Sequence, residues 1–427
     1  MRRKLPPVLQ QRDFSLYWGA FLATSFAAQM VAVAVGWQVY AIHEKPLDLG
    51  LIGLAEFVPL PLLALPAGHL ADRLPRRHIF AASIVLDVIV TALLLAVTRA
   101  GADVLWPFLV LAFASGVSAA VGWPAARALP PTLVSVDLLA NATAVRSIAG
   151  QTATIAGPAV GGILFAVHPE LVYGVAAGLF LFSLAFILPV SERREPVRDD
   201  GGSRPGLELV LAGVRFVRRT PVLLGAITLD LVAVLFGGAI ALLPLFAKSI
   251  LDTGPVGLGI LRSAPAVGAL VGGIWLARRP IGGNAGRTLL AVVAVFGVSF
   301  VVFGLSRSFP LSLAALAVAG FADMFSMNIR SMTVALATPD ELRGRVNAVE
   351  MVFISASNEL CAFESGVAAA LIGAVPAVVI GGVVTIAAAA VWGRLFPPLL
   401  HIDRLEHLLP SADEMEPASS RSGAREA

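Results

Sequence analysis

Carboxylates interrupt stretches of this chain that are otherwise apolar: Glu56, Asp87, Asp230, Asp323, Glu350, Glu359 and Glu364, with Arg146 and Arg262 as cations in similar surroundings. An acid among hydrocarbon is costly unless it faces a cavity or a partner, so each is either ion-paired or available to exchange a proton. Asp230 and Asp323 are each about eight residues from the end of an apolar run, hence about 12 Å in along a helix rising 1.5 Å per residue. Two carboxylates at equal depth could share and pass a proton; alternatively, each is tied structurally to a base such as Arg330 or Arg146. Glu359 lies near the middle of its run and joins them as a proton-coupling candidate. Gln29, Asn328 and Asn358 are neutral polar groups in apolar runs, suited either to touch a solute or to hydrogen-bond neighbouring helices.

Other chemistries lack their residues. The six histidines are scattered, the single cysteine, Cys361, lies in an apolar run, and no His/Cys grouping has metal-ligand spacing, so neither metal nor other cofactor is expected. No disulfide can form within the chain, and no GxxxxGK[ST] phosphate loop is present. Net charge is +3 with the basic residues dispersed, which gives no nucleic-acid footprint.

The elements that must position these groups follow from composition. The 427 residues are 57% hydrophobic and only 14% charged, against about 25% charged in a soluble domain. Twelve apolar runs, 14–40, 49–71, 79–98, 105–125, 141–166, 171–190, 222–247, 257–277, 288–306, 311–331, 346–371 and 374–396, are each long enough for a helix across about 30 Å of hydrocarbon. Continuous runs exclude barrel strands, which alternate with period two. The expected fold class is therefore an all-α membrane protein of 12 transmembrane helices in two pseudo-symmetric six-helix bundles. The start, "MRRKLPPVLQQRDF", has the charge of a secretory leader, but the run from Phe14 is too long for one and reads as a retained first span.

Lys and Arg set the orientation. With the N-terminus inside, 25 of the 31 fall in segments on the inner side; Lys45, Arg99, Lys248 and Arg307 fall outside, and Arg146 and Arg262 lie within runs. Both termini are then cytoplasmic. Residues 1–190 form the first bundle, 191–221 a cytoplasmic linker, 222–396 the second bundle, and 397–427 a tail expected to be largely disordered. Within the linker, "LELVLAGVRFVRR" (207–219) is an amphipathic helix that either lies on the inner membrane surface or packs on the bundle. The halves echo each other: Arg127, Asp137 and Leu139 recur as Arg330, Asp340 and Leu342, and Gly162 maps to Gly366.

Between the second and third runs stands "GHLADRLPRR" (68–77). It resembles the loop signature of the major facilitator superfamily through Gly68, Leu70, Ala71, Asp72, Arg73, Arg76 and Arg77, with Pro75 where glycine is usual. The resemblance implies two six-helix halves rocking about a cavity lined by spans 1, 4, 7 and 10. It also implies a conformational lock in which Asp72 meets the start of span 11 near 347–349, with Arg127 as candidate partner. The alternative is that the arginines only set topology. In the second half Arg278 stands where the acid would be, so the lock is one-sided.

"AGPAVGG" (156–162) resembles the core of the superfamily's antiporter motif through Gly157, Pro158, Gly161 and Gly162, implying a bend in span 5; a simple packing kink is the alternative. Segments 213–247, 254–270, 337–349 and 357–366 are similar to the enterobactin-exporter subgroup. That resemblance implies a proton-coupled exporter of a siderophore such as a catecholate, resident as a multi-pass monomer in the bacterial inner membrane, with multidrug or other metabolite efflux as the alternative. Its partners would be the small-molecule cargo, protons and the lipid bilayer. A membrane enzyme or a scaffold is disfavoured: the first lacks a nucleophile or metal constellation, the second a large soluble domain.

Overall fold

The structure, a computed structural model, describes residues 6–63, 74–192, 207–279, 281, 283–339, 342, 346, 357 and 360–400. Among them, eleven helices are long and apolar enough to cross a membrane. We label the helices at the expected spans α1 (Arg12–His43), α2 (Pro46–Leu63), α3 (Arg76–Arg99), α4 (Trp106–Ala128), α5 (Val136–Val167), α6 (Pro169–Ile187), α7 (Pro221–Ile250), α8 (Gly254–Arg278), α9 (Ala285–Leu305), α10 (Phe309–Ala337), α11 (Leu360–Ile372) and α12 (Ala374–Leu395). The described part of the eleventh expected span is the shorter apolar helix α11; the rest of that span, apart from Val346 and Ser357, lies outside the described residues. Of the twelve expected crossings, eleven correspond to helices of full length, and the eleventh expected span is represented among the described residues only by the shorter α11.

Local chemistry sets the helix ends. Proline occupies the first turn of α2, α4, α6, α7, α8 and α10, where its missing N–H leaves no intrahelical bond unmade. Glu44 and Gly373 turn the chain with positive φ after α1 and α11. The expected 141–166 run begins earlier, at Val136, because Asp137 in the first turn complements the helix N-terminus instead of breaking it.

α7 is not one regular helix. Its α-helical part ends at Gly237, a 3-10 turn covers Ala239–Leu242, and a π turn covers Phe246–Ile250. The Gly238 carbonyl, freed by the break, accepts a hydrogen bond from Cys361 Sγ at 2.7 Å. Irregular backbone at membrane depth is tolerated where protein groups satisfy it in this way.

In the first half α1 packs on α5 and α6, α2 on α4, and α3 on α4 and α6. In the second, α9 packs on α12 and α10, α8 on α10, and α7 on α12. Helix-to-helix hydrogen bonds add to the apolar packing: Thr24 and Ser183 hydroxyls lie 2.7 Å apart, and Tyr17 Oη donates to Ala126 O at 2.7 Å. Outward positions such as Val110, Leu181, Val271 and Val383 stay exposed and apolar, as a lipid-facing surface allows and a water-facing one does not.

Packing between the halves is uneven. One apolar core joins both, running from Met30, Val39 and Phe108 through Phe246, Leu258 and Phe303. Toward the other end of the helices the core divides. One cluster around Phe14, Phe80 and Ile187 belongs wholly to the first half, and another around Leu229, Leu289 and Ala389 wholly to the second. Among the described residues the halves therefore share a core at the end carrying Glu44 and are separately cored at the end carrying Arg127.

Two glycine crossings make the close approach possible. A β-carbon on Gly162 of α5 would strike the backbone of Pro255 on α8, and one on Gly259 of α8 would strike Pro158. Across the pseudo-twofold, a β-carbon on Gly366 of α11 would stand 2.7 Å from the Cα of Gly50 on α2. Gly162 and Gly366 are the pair related by the sequence repeat.

The linker helix, Leu207–Arg219, is packed on the bundle: Val217 is buried with Leu223, Ile227, Val334 and Val346, while Arg215, Arg218 and Arg219 are exposed. Of the expected disordered tail, Pro397–Leu400 instead form a helical turn with Leu399 fully buried beside Leu289. The reason is apolar content: "FPPLL" has side chains to bury before the polar tail starts. Residues 401–427 lie outside the described residues.

Candidate functional site

A cavity of about 720 Å³ lies between the halves. Its wall includes Phe21 and Gln29 of α1, Glu56 of α2, Asp87 of α3, Trp123 of α4, and Gly238 of α7. Arg262 of α8, Phe296 of α9, Asp323 of α10 and Cys361 of α11 complete it. Spans 1, 4, 7 and 10 line it as the resemblance implied, and α2, α3, α6, α8, α9 and α11 also contribute.

The two acids expected at equal depth have different environments. Asp230 is buried and ion-paired with the buried Arg330 of α10, its Oδ1 against the arginine Nη1. Asp323 stands two turns before Arg330 on the same helix face, about 10 Å along the axis. It is within electrostatic reach of both members of that pair. Its carboxylate opens on the cavity and makes no hydrogen bond among the described residues. The structural ion-pair reading therefore applies to Asp230, and the cavity-facing reading to Asp323. Glu359 lies outside the described residues.

Gln29 is on the cavity wall, and its β-carbon fits against α5 only because residue 157 is glycine: a β-carbon there would lie 2.7 Å from it. Asn328 is not among the described lining residues. Asn358 lies outside the described residues. Pro158 sits within the uninterrupted α5, and its glycine neighbours serve close packing: Gly157 and Gly161 face Phe26, Gln29 and Met30 of α1, and Gly162 faces α8.

Of the expected lock, Gly68, Asp72, Arg73 and residues 347–349 lie outside the described residues. Arg76 Nη1 donates to Ala128 O at 2.8 Å, at the end of α4, and Arg77 Nη1 donates to Val190 O beyond α6. Arg76 thus complements the C-terminal end of α4, and Arg77 holds the segment that follows α6. Arg127 and Arg146 are close enough to repel each other, and Arg146 lies over the Phe21 ring at 5.3 Å.

At the Glu44 end the halves are latched by polar contacts. Lys248 Nζ lies 2.8 Å from Glu44 Oε1 and 5.9 Å from the Tyr40 ring centroid, and the hydroxyls of Tyr40 and Ser249 are 2.9 Å apart. At mid-depth Gln151 Nε2 donates to Ala266 O at 2.7 Å.

Glu56, Asp87 and Arg262 were noted as internal charges in the sequence but not assembled into a site. Asp87 lies beside Ser118 of α4, whose hydroxyl donates to Ser83 O at 3.0 Å. The signal was there, a charge within an otherwise apolar run for each of the three; what those runs lacked was a polar face to say which side looked inward.

Residues 4–418 match the family described as transmembrane secretion effector. The chain is 30% identical over 334 residues to the multidrug efflux pump Tap of Mycolicibacterium fortuitum, covering 74% of this chain and 79% of that one. It is 26% identical over 337 residues to the enterobactin exporter EntS of Shigella dysenteriae, covering 75% of each. Among solved structures it is similar to a bacterial homologue of the lysosomal transporter Spinster in an inward-facing, unoccupied conformation (TM-score 0.69, 14% identity, 97% and 100% coverage). A bacterial homologue of ferroportin, also inward-facing, is similar too (TM-score 0.67, 18% identity, 91% and 99% coverage).

Proposed function

The chain belongs to the transmembrane secretion effector family of the major facilitator superfamily, a family of multi-pass membrane transporters and not of enzymes, and from that premise we propose that it exports a small organic molecule from the bacterial cytoplasm in exchange for protons. The observation that carries this reading is a cavity walled by both halves, with polar contacts joining the halves at the Glu44 end, and holding a carboxylate free of hydrogen bonds to described residues. The Lys/Arg distribution makes the latched end periplasmic and the Arg127 end cytoplasmic. Cargo enters from the cytoplasm, the halves rock about the glycine crossings, and the Glu44–Lys248 latch opens to release it outside. Protonation of Asp323 from the outside resets the cavity. In the outward-open state Gly68, Asp72 and Arg73 close the cytoplasmic side, with Arg127 as partner. The protein acts as a monomer in the inner membrane.

The likeness to EntS supports a siderophore cargo, and the likeness to Tap supports drug-like compounds. The experiment is accumulation of a cargo panel in everted vesicles with an imposed proton gradient. Gradient-driven accumulation above vesicles lacking the protein is the expected result. Accumulation that ignores the gradient for every compound would overturn proton-coupled export.

A further inference from the structure

We propose that the cavity selects lipophilic cations and rejects anions of the same shape, an inference that rests on the exporter reading for its biological meaning but not for its test. Three carboxylates line the described wall, Glu56, Asp87 and Asp323, and one base, Arg262. With Arg262 offsetting one acid, two remain. Asp87 and Asp323 lie in opposite halves, so an occupant between them meets negative charge from both sides. In a low-dielectric cavity that charge is balanced at low cost by a positively charged ligand and is opposed by a negative one.

The remainder of the wall suits the same ligand. Phe21, Phe80, Phe108, Trp123, Phe296 and Phe300 contribute aromatic surface, and ring faces attract cations. One of these rings already carries a cation, the Arg146 guanidinium over Phe21. Thr24, Ser25, Gln29, Ser83, Thr91 and Ser118 supply neutral polarity. The volume, about 720 Å³, is in the range of pockets that enclose drug-sized molecules. Among the described residues, Asp230 and Arg330 pair with each other behind Asp323, and Arg146 lies over the Phe21 ring. A catecholate anion therefore has the wrong sign for this wall, whereas a single positive charge set among hydrophobic rings has the right one.

The test is equilibrium binding to the full chain in lipid nanodiscs with tetraphenylphosphonium, its near-isostere tetraphenylborate, and neutral triphenylphosphine oxide. The phosphonium should bind at least about tenfold tighter than the borate, a difference of about 1.4 kcal/mol. Asp87→Asn should weaken the phosphonium by about tenfold, with little change for the neutral probe. Glu56→Gln is the second variant, used if Asp87→Asn fails to fold. The chain's single cysteine, Cys361, lines the cavity, and bound phosphonium should slow its alkylation. Equal or tighter binding of the borate, or unchanged phosphonium affinity in a folded variant, would overturn the proposal. Binding of the cation without its transport would instead sink the exporter reading and leave this one standing. Export of an anion without cation binding would do the reverse.

Discussion

Arg330 on α10 forms a buried ion pair with Asp230 on α7, and Asp323, on the same face of α10, is left facing the cavity. The pair ties together two helices that both line the cavity. Removing one partner strands the other charge in a buried site, at a cost of about 3–5 kcal/mol. Asp230→Asn should therefore lower the thermal midpoint of the purified protein and its yield in the membrane. A second substitution, Arg330→Met, should recover much of both. Melting of the single and double variants measures this.

Asp323 makes no such bond among the described residues, so Asp323→Asn should leave the melting temperature within a few degrees of wild type. Gradient-driven transport should fall by at least about tenfold, as loss of a proton-carrying group at a general acid–base step does. Downhill cargo exchange, which needs no proton, should persist. Melting and transport measured on one preparation separate the two roles.

The latch between Glu44 and Lys248 is partly exposed, with side-chain exposures of 62% and 29%. A pair of this kind contributes up to about 1 kcal/mol. Glu44→Gln should shift the population toward opening at this end by up to about fivefold. Spin labels at the exposed positions 45 and 252, in a Cys361→Ser background, should report a larger long-distance fraction. The charge-swapped double variant, Glu44→Lys with Lys248→Glu, should restore the wild-type distribution.

The glycine crossings bear more of the closure than the latch, because the atoms in the way are backbone and cannot rotate aside. Gly162→Leu and Gly366→Leu should each hold the Glu44 end apart, seen as a shift of the same label distance that exceeds the latch variant's. Gly178→Ala, where nothing stands within 4 Å of the added carbon, is the matched control and should change nothing.

Much of the fold was legible because hydrocarbon imposes one requirement, a helix long enough to cross, and long apolar runs state it directly. Gly162 and Gly366 were also legible as a repeat, although not as crossings. The break in α7 was not. A uniformly apolar run fixes no hydrogen-bond register, and only the packing of Cys361 against Gly238 shows where the helix is interrupted. The wall of the site was half legible. Asp323 stood out by its depth, but helices apolar on nearly every side carry no amphipathic signal. Glu56 and Asp87 therefore gave no hint that they face the same space. Likewise Arg330 was a known candidate partner for Asp230, and the contact of α7 with α10 selected it over Arg146.

The most direct test of proton-coupled export through this cavity is collapse of a preformed pH gradient in everted vesicles when tetraphenylphosphonium is added. Wild type should dissipate the gradient in proportion to protein, and Asp323→Asn, present at equal amount and equally folded, should not. Dissipation by Asp323→Asn at the wild-type rate, or transport by wild type with no movement of the gradient, would contradict the account.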